Sequence, residues 1–181
     1  MRRLCGIGML VITTAACATL TVSSHIEREA NFTDYVTWDW GPPDNLPVGD
    51  PRLDNNPFFR DYVEGTVEKI LVRKGYERAV TGLPDLLIHY HASVNQKVDV
   101  YKADYPYGYC YGNCEARVVE FEQGTIVLDI VDSATNKVVW RGWVQDTMDG
   151  VIDDQQRLRG QVFEGITKMM LGLPNGGAAL R

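Results

Sequence analysis

Three histidines and four cysteines are all that this 181-residue sequence offers for general-base or thiolate chemistry near neutral pH. Nucleophilic catalysis needs a base held against its nucleophile, yet neither a G-x-S-x-G elbow nor an H-E-x-x-H pair occurs, and no glycine-rich phosphate loop runs into a lysine. The expectation is a chain that is not an enzyme and carries no cofactor. Clustered positive charge is also missing. With 18 basic residues against 24 acidic ones, nucleic acid and electrostatic headgroup partners are disfavoured. Nor is there an apolar run near the roughly 20 residues that a spanning helix requires.

What apolar run there is stands at the start. Met1, Arg2 and Arg3 form a positive segment, residues 4–12 (LCGIGMLVI) follow without a charge, and small residues succeed them. That order is a secretory signal. Thr14-Ala15-Ala16-Cys17 has the form of a lipobox, whose cysteine thiol receives diacylglycerol, with Thr14 where Leu is usual. Ala16-Cys17-Ala18 also fits ordinary cleavage after Ala18. Two outcomes therefore stand side by side, a lipid anchor at Cys17 or a soluble periplasmic product. The first is the main expectation: residues 1–16 as signal and an outer-membrane lipoprotein of the bacterial envelope facing the periplasm, since Ala18 after the cysteine resembles the outer-membrane sorting signal. Loss of Arg2 and Arg3 leaves 16 basic against 24 acidic residues, a net charge of −8.

Residues 17–30 are polar and without periodicity, and read as a flexible tether. Residues 31–174 read as one domain, within the usual size of a single core, and 175–181 as a loose tail. Within the domain, residues 31–40 (NFTDYVTWDW) are aromatic and β-branched and predict a first strand. Residues 41–56 carry four prolines and predict a long loop. Asn56 as N-cap and Pro57 at the first helical position open a helix over residues 57–74. Alternation predicts a strand over 84–97, shorter ones over 117–121 and 124–131, and a hairpin partner over 137–145. Asp153 and Asp154 open a final helix whose apolar stripe is Leu158, Val162, Ile166, Met169 and Met170. The expected fold class is α+β, a largely antiparallel sheet of four to five strands with two helices packed on one face.

Four stretches taken in order, FTDYVTWDW (32–40), LVRKGY (71–76), PDLLIHYH (84–91) and LDIVDSATNKVVWRGW (128–143), resemble the bacterial lipoproteins built on domain of unknown function 4136. The most specific part is the spacing of Asp132, Lys137, Trp140, Arg141 and Gly142. The resemblance implies a small α+β envelope domain behind a lipobox, and it brings no activity with it.

Candidate sites are few. Cys110 and Cys114, spaced C-x-x-x-C in an oxidising compartment, are expected to form a disulfide that shapes a local loop. His89 and His91 point to one side of a strand. With the two cysteines they form the alternative, a metal-binding or redox-responsive periplasmic protein, although no standard zinc spacing matches and no metal is expected. Asp146, Asp149, Asp153 and Asp154 suit a helix N-terminus better than calcium, lacking the alternating ligands of an EF-hand loop. Trp38, Trp40, Trp140 and Trp143 suit core pairing better than sugar stacking. Tyr105, Tyr107, Tyr109 and Tyr111 alternate with Pro106, Gly108 and Gly112, large contact area on an adaptable backbone, and form the expected partner-binding surface. The expected partners are the membrane, through a lipid anchor, and another envelope protein or polymer.

Overall fold

The helix foretold by Asn56 and Pro57 begins where those residues direct it. Asn56 Oδ1 accepts the Phe58 N–H at 3.0 Å, and the helix, α2, spans Pro57–Arg73. In the computed structural model, which describes residues 20–42, 48–101 and 117–180, it is accompanied by a short α1 (Pro51–Asp54) inside the expected loop and by α3 (Gln155–Met170), capped by Asp154. The strands are β1 (Thr21–Ile26), β2 (Thr37–Trp40), β3 (Glu77–Arg78), β4 (Leu86–Tyr101), β5 (Arg117–Asp132) and β6 (Lys137–Thr147), forming one sheet in the order β1-β6-β5-β4-β2-β3.

The fold is α+β, with three corrections to the expected sheet and helices. It has six strands, because β1 and β3 are edge strands too short or too polar to show a pattern. It is mixed: β2 runs parallel to β4, and β3 parallel to β2. Parallel neighbours need a crossover, and α2, between β2 and β3 in the chain, supplies it. Among the described residues there are three α-helices rather than two. Three segments also differ in detail. Thr21–Ile26, within the stretch expected to be a tether, pairs with β6 from Thr21↔Gln145 to Ile26↔Trp140. Residues 31–36 are not strand; Asn31 accepts from the Thr33 N–H and starts a 3₁₀ turn, Phe32–Asp34. The two strands expected on either side of Gln123 are one continuous β5. Gly124 does not interrupt it, because Met148 fills the space a side chain would take, its Cγ 2.7 Å from where a Cβ would stand.

Burial along the central strands has period two. Leu86 and Ile88 of β4, Leu128 and Ile130 of β5, and Trp140 of β6 are buried with Trp38 of β2, against Val63, Val67 and Leu71 of α2 and Leu158, Ile166 and Met169 of α3. Helices cover that face, and among the described residues no helix packs on the opposite, open face.

Three of the four stretches that carried the family resemblance meet at one corner. Tyr35 Oη donates to Asp132 Oδ2 at 2.9 Å. Asp85 Oδ2 accepts from the N–H of Val36 and Thr37 and from the Thr37 hydroxyl, at 2.9, 2.8 and 3.0 Å. Asp132 Oδ1 accepts the N–H groups of Ala134 and Thr135, closing the β5–β6 turn. The Thr135 N–H first, then the Tyr35 hydroxyl and the Ala134 N–H, outweigh burial and hold the Asp132 carboxyl below its usual range. Burial works against the Asp85 carboxylate, but its three donors prevail and lower its pKa too. Tyr35 is pushed up to about 12 by burial and by the carboxylate it donates to. The spacing that identifies the resemblance is therefore explained by folding: Asp132 makes a turn, Trp140 fills the core, and Gly142 leaves room beside Met169 of α3.

Candidate functional site

Antiparallel partners project to the same side, so the register sets out the open face as rows. His89, Asp129, Arg141 and His25 form one row across β4, β5, β6 and β1, and His91, Val127, Trp143 and Ser23 the next. All three histidines of the chain thus share one face. Asp129 receives Arg141 in a forked pair, Nε to Oδ1 at 2.6 Å and Nη2 to Oδ2 at 2.5 Å, and this hydrogen bonding raises the Arg141 pKa further. Pro42, His89, Tyr90, His91, Val127 and Asp129 line a hollow of about 260 Å³. Asp129 and Arg141 pair with each other here, and Trp143, 37% exposed, stands in the adjoining row. The apolar cavity between sheet and helices, about 40 Å³ and bordered by Leu20, Phe59, Met148 and Val162, has room for little more than a water-sized molecule.

The second feature is an arm. Beyond the level where β6 ends, at Gln123↔Thr147, β4 and β5 continue, paired among the described strands only with each other, as far as Tyr101↔Arg117. Val98 and Val118 on it are each more than half exposed. Its root is clamped. The Glu122 carboxylate accepts from Arg52 at 2.5 Å, and Arg52 also pairs with Asp50 at 2.6 Å and Asp153 at 3.2 Å. The Glu122 N–H donates to Asp149 Oδ1, and its carbonyl accepts the Met148 N–H, both at 2.8 Å. The Arg52 hydrogen bond is the main cause that lowers the Asp50 pKa, against its burial. One cation thereby joins α1, the approach to α3 and the base of the arm.

Cys17, Cys110, Cys114, Tyr105, Tyr107, Tyr109 and Tyr111 lie outside the described residues, the first before β1 and the others in the sequence that joins the two arm strands. His89 and His91 do share a face, as expected. Among the described residues no group of three or more His, Cys, Asp or Glu side chains is placed to hold a metal. The acidic cluster has structural partners: Asp154 caps α3, Asp153 pairs with Arg52, Asp149 holds the Glu122 N–H, and Asp146 accepts from Gln161. The tryptophans divide. Trp38 and Trp140 are buried, Trp40 donates to Glu68 while stacking edge-on with Trp38 at 5.9 Å, and Trp143 lies on the open face. Sequence reasoning missed the Arg141–Asp129 fork and the Arg52 clamp. The first had only a partial signal, since the hairpin that pairs Asp132 with Lys137 would in regular register set Asp129 opposite Trp140, and the bulge between Ile130 and Val131 brings Arg141 there instead. The second joins residues up to 101 positions apart and had none.

No protein of curated function matches the chain. Among solved structures, a PDZ domain protein from Parabacteroides distasonis ATCC 8503 aligns with 88% of this chain at 14% identity and a TM-score of 0.51. The chain spans 37% of that protein's length, and the likeness is one of fold. PelC from Paraburkholderia phytofirmans, a dodecamer, aligns with 84% of this chain and 95% of its own length, at 12% identity and a TM-score of 0.46, too loose to argue from. The model of a family described as domain of unknown function DUF4136 matches residues 22–175, from the first strand to beyond α3, and the chain belongs to that family.

Proposed function

We propose that this protein is a non-catalytic lipoprotein of the bacterial envelope, anchored through Cys17 on the periplasmic face of the outer membrane, whose domain recognises a protein or polymer through its arm. One observation carries the reading: a clamped body from which two strands of the sheet continue alone toward a connecting sequence with four alternating tyrosines. Two-stranded ribbons are marginal in water by themselves, and tyrosine supplies contact area at low entropic cost. A rigid root holding an aromatic-rich end is the form of a docking element. The open face, with Trp143 beside the Arg141–Asp129 fork, offers a second polar surface for the same partner. The test is a pull-down from solubilised envelopes comparing wild type with Tyr105→Ser/Tyr107→Ser/Tyr109→Ser/Tyr111→Ser. Loss of a specific partner supports the reading, and identical recovery removes the arm from it. The intact mass of the membrane-fraction protein, compared with Cys17→Ser, tests the anchor.

A further inference from the structure

The proposed anchor and the arm leave the sheet at the same end. Thr21 of β1 pairs with Gln145, Gln145 with Thr125, and Thr125 with Ser93, so these four residues lie at one level across the sheet. The chain leading back to Cys17 departs from that level, and from it β4 and β5 run on to Tyr101 and Arg117. Eight residue steps separate Thr125 from Arg117, about 27 Å at the pitch of a strand. Four separate Thr21 from Cys17, at most about 14 Å when fully extended. The tether is about half as long as the arm beside it. Had all of residues 18–30 been free, as the sequence alone suggests, the body could stand well clear of a membrane holding Cys17. Pairing of Thr21–Ile26 with β6 removes that slack.

From this comparison of lengths, which rests on lipidation of Cys17 as proposed above, we infer that the distal half of the arm lies against the lipid surface that holds the anchor, so that the partner is met at the bilayer. The arm is suited to the contact. Val98 pairs with Glu120 and Val100 with Val118, which puts Val98 and Val118 diagonally adjacent on one face, 57% and 56% exposed. Apolar side chains there lose little by leaving water. With Glu120 on the same face and an acidic chain behind it, the contact is apolar and draws little from anionic lipid.

The experiment uses the full lipidated chain in phosphatidylethanolamine/phosphatidylcholine vesicles, with photoactivatable benzoylphenylalanine in place of Val118. The control position is Leu83, which is 92% exposed and precedes β4 at the opposite end of the sheet. The expected result is several-fold more lipid adduct at 118 than at 83, unchanged by high salt. A vesicle-bound, mass-verified lipoprotein giving equal background adduct at both positions overturns the arm contact and leaves the lipoprotein reading standing. A chain whose mass shows no lipid on Cys17 overturns both. The same substitution in cells, yielding a protein adduct at 118 without lipid adduct, overturns the inference in favour of a protein on the arm itself.

Discussion

Gly142→Ala adds one methyl group at the point where β6 passes under α3. A Cβ at residue 142 would stand 2.7 Å from Met169 Cγ, 2.9 Å from Trp140 Cζ2 and closer still to the tip of the Trp140 ring. Real Cβ atoms do not approach that closely, so something must move. Neither neighbour has room, since Trp140 is fully buried and Met169 is 1% exposed. Overpacking of this kind costs roughly 1–3 kcal/mol. Against it stands about 0.5–1 kcal/mol gained by restricting the unfolded backbone. The net loss expected is about 1–2 kcal/mol, or about 2–8 °C in Tm for a domain of this size. The comparison variant is Gly65→Ala on α2, where a Cβ meets nothing within 4 Å and helix propensity favours alanine by about 1 kcal/mol. Urea titrations followed by circular dichroism should move the two midpoints in opposite directions. A Gly142→Ala protein as stable as wild type would refute the claim that glycine in the W-R-G stretch is there for packing.

Trp140→Ala should cost about 3–5 kcal/mol by emptying a core site, whereas Trp143→Ala on the open face should cost under about 1 kcal/mol; denaturant titrations that rank them the other way would reverse the assignment of faces. Arg52→Ala should lower stability by only about 1 kcal/mol, its side chain being partly exposed, yet hydrogen exchange at the Glu122 and Gln123 amides should quicken, and unchanged exchange there would mean that Arg52 does not hold the arm's root. Because Asp85 and Asp132 have lowered pKa values in the fold, the unfolded chain takes up protons first as pH falls; stability is complete above the usual carboxylate value of about 4 and declines below it, and Asp85→Asn should flatten that decline in a series of acid titrations. At the alkaline end Tyr35 acts with the opposite sign: its proton is held up to about pH 12 in the fold and to about 10 in the unfolded chain, so its contribution is complete below pH 10 and lost as pH rises through 12, a slope that Tyr35→Phe should reduce.

Local chemistry was legible wherever a residue acts on its near neighbours. Asn56 and Pro57 marked the start of α2, Asp154 marked that of α3, and alternation marked the buried face of β4, because capping and period-two burial depend on positions only a few residues apart. The order of the family stretches identified the family from residues that the structure shows to be making turns and core. Pairing, by contrast, is a contest among distant segments. Whether Thr21–Ile26 hangs free or closes an edge depends on the bonds β6 offers it, and whether β2 runs parallel to β4 depends on the crossover through α2. The gathering of all three histidines on one face and the Arg52 clamp across 101 positions were decided in the same way, by strand register and long-range ion pairing, whose partners no window along the chain contains.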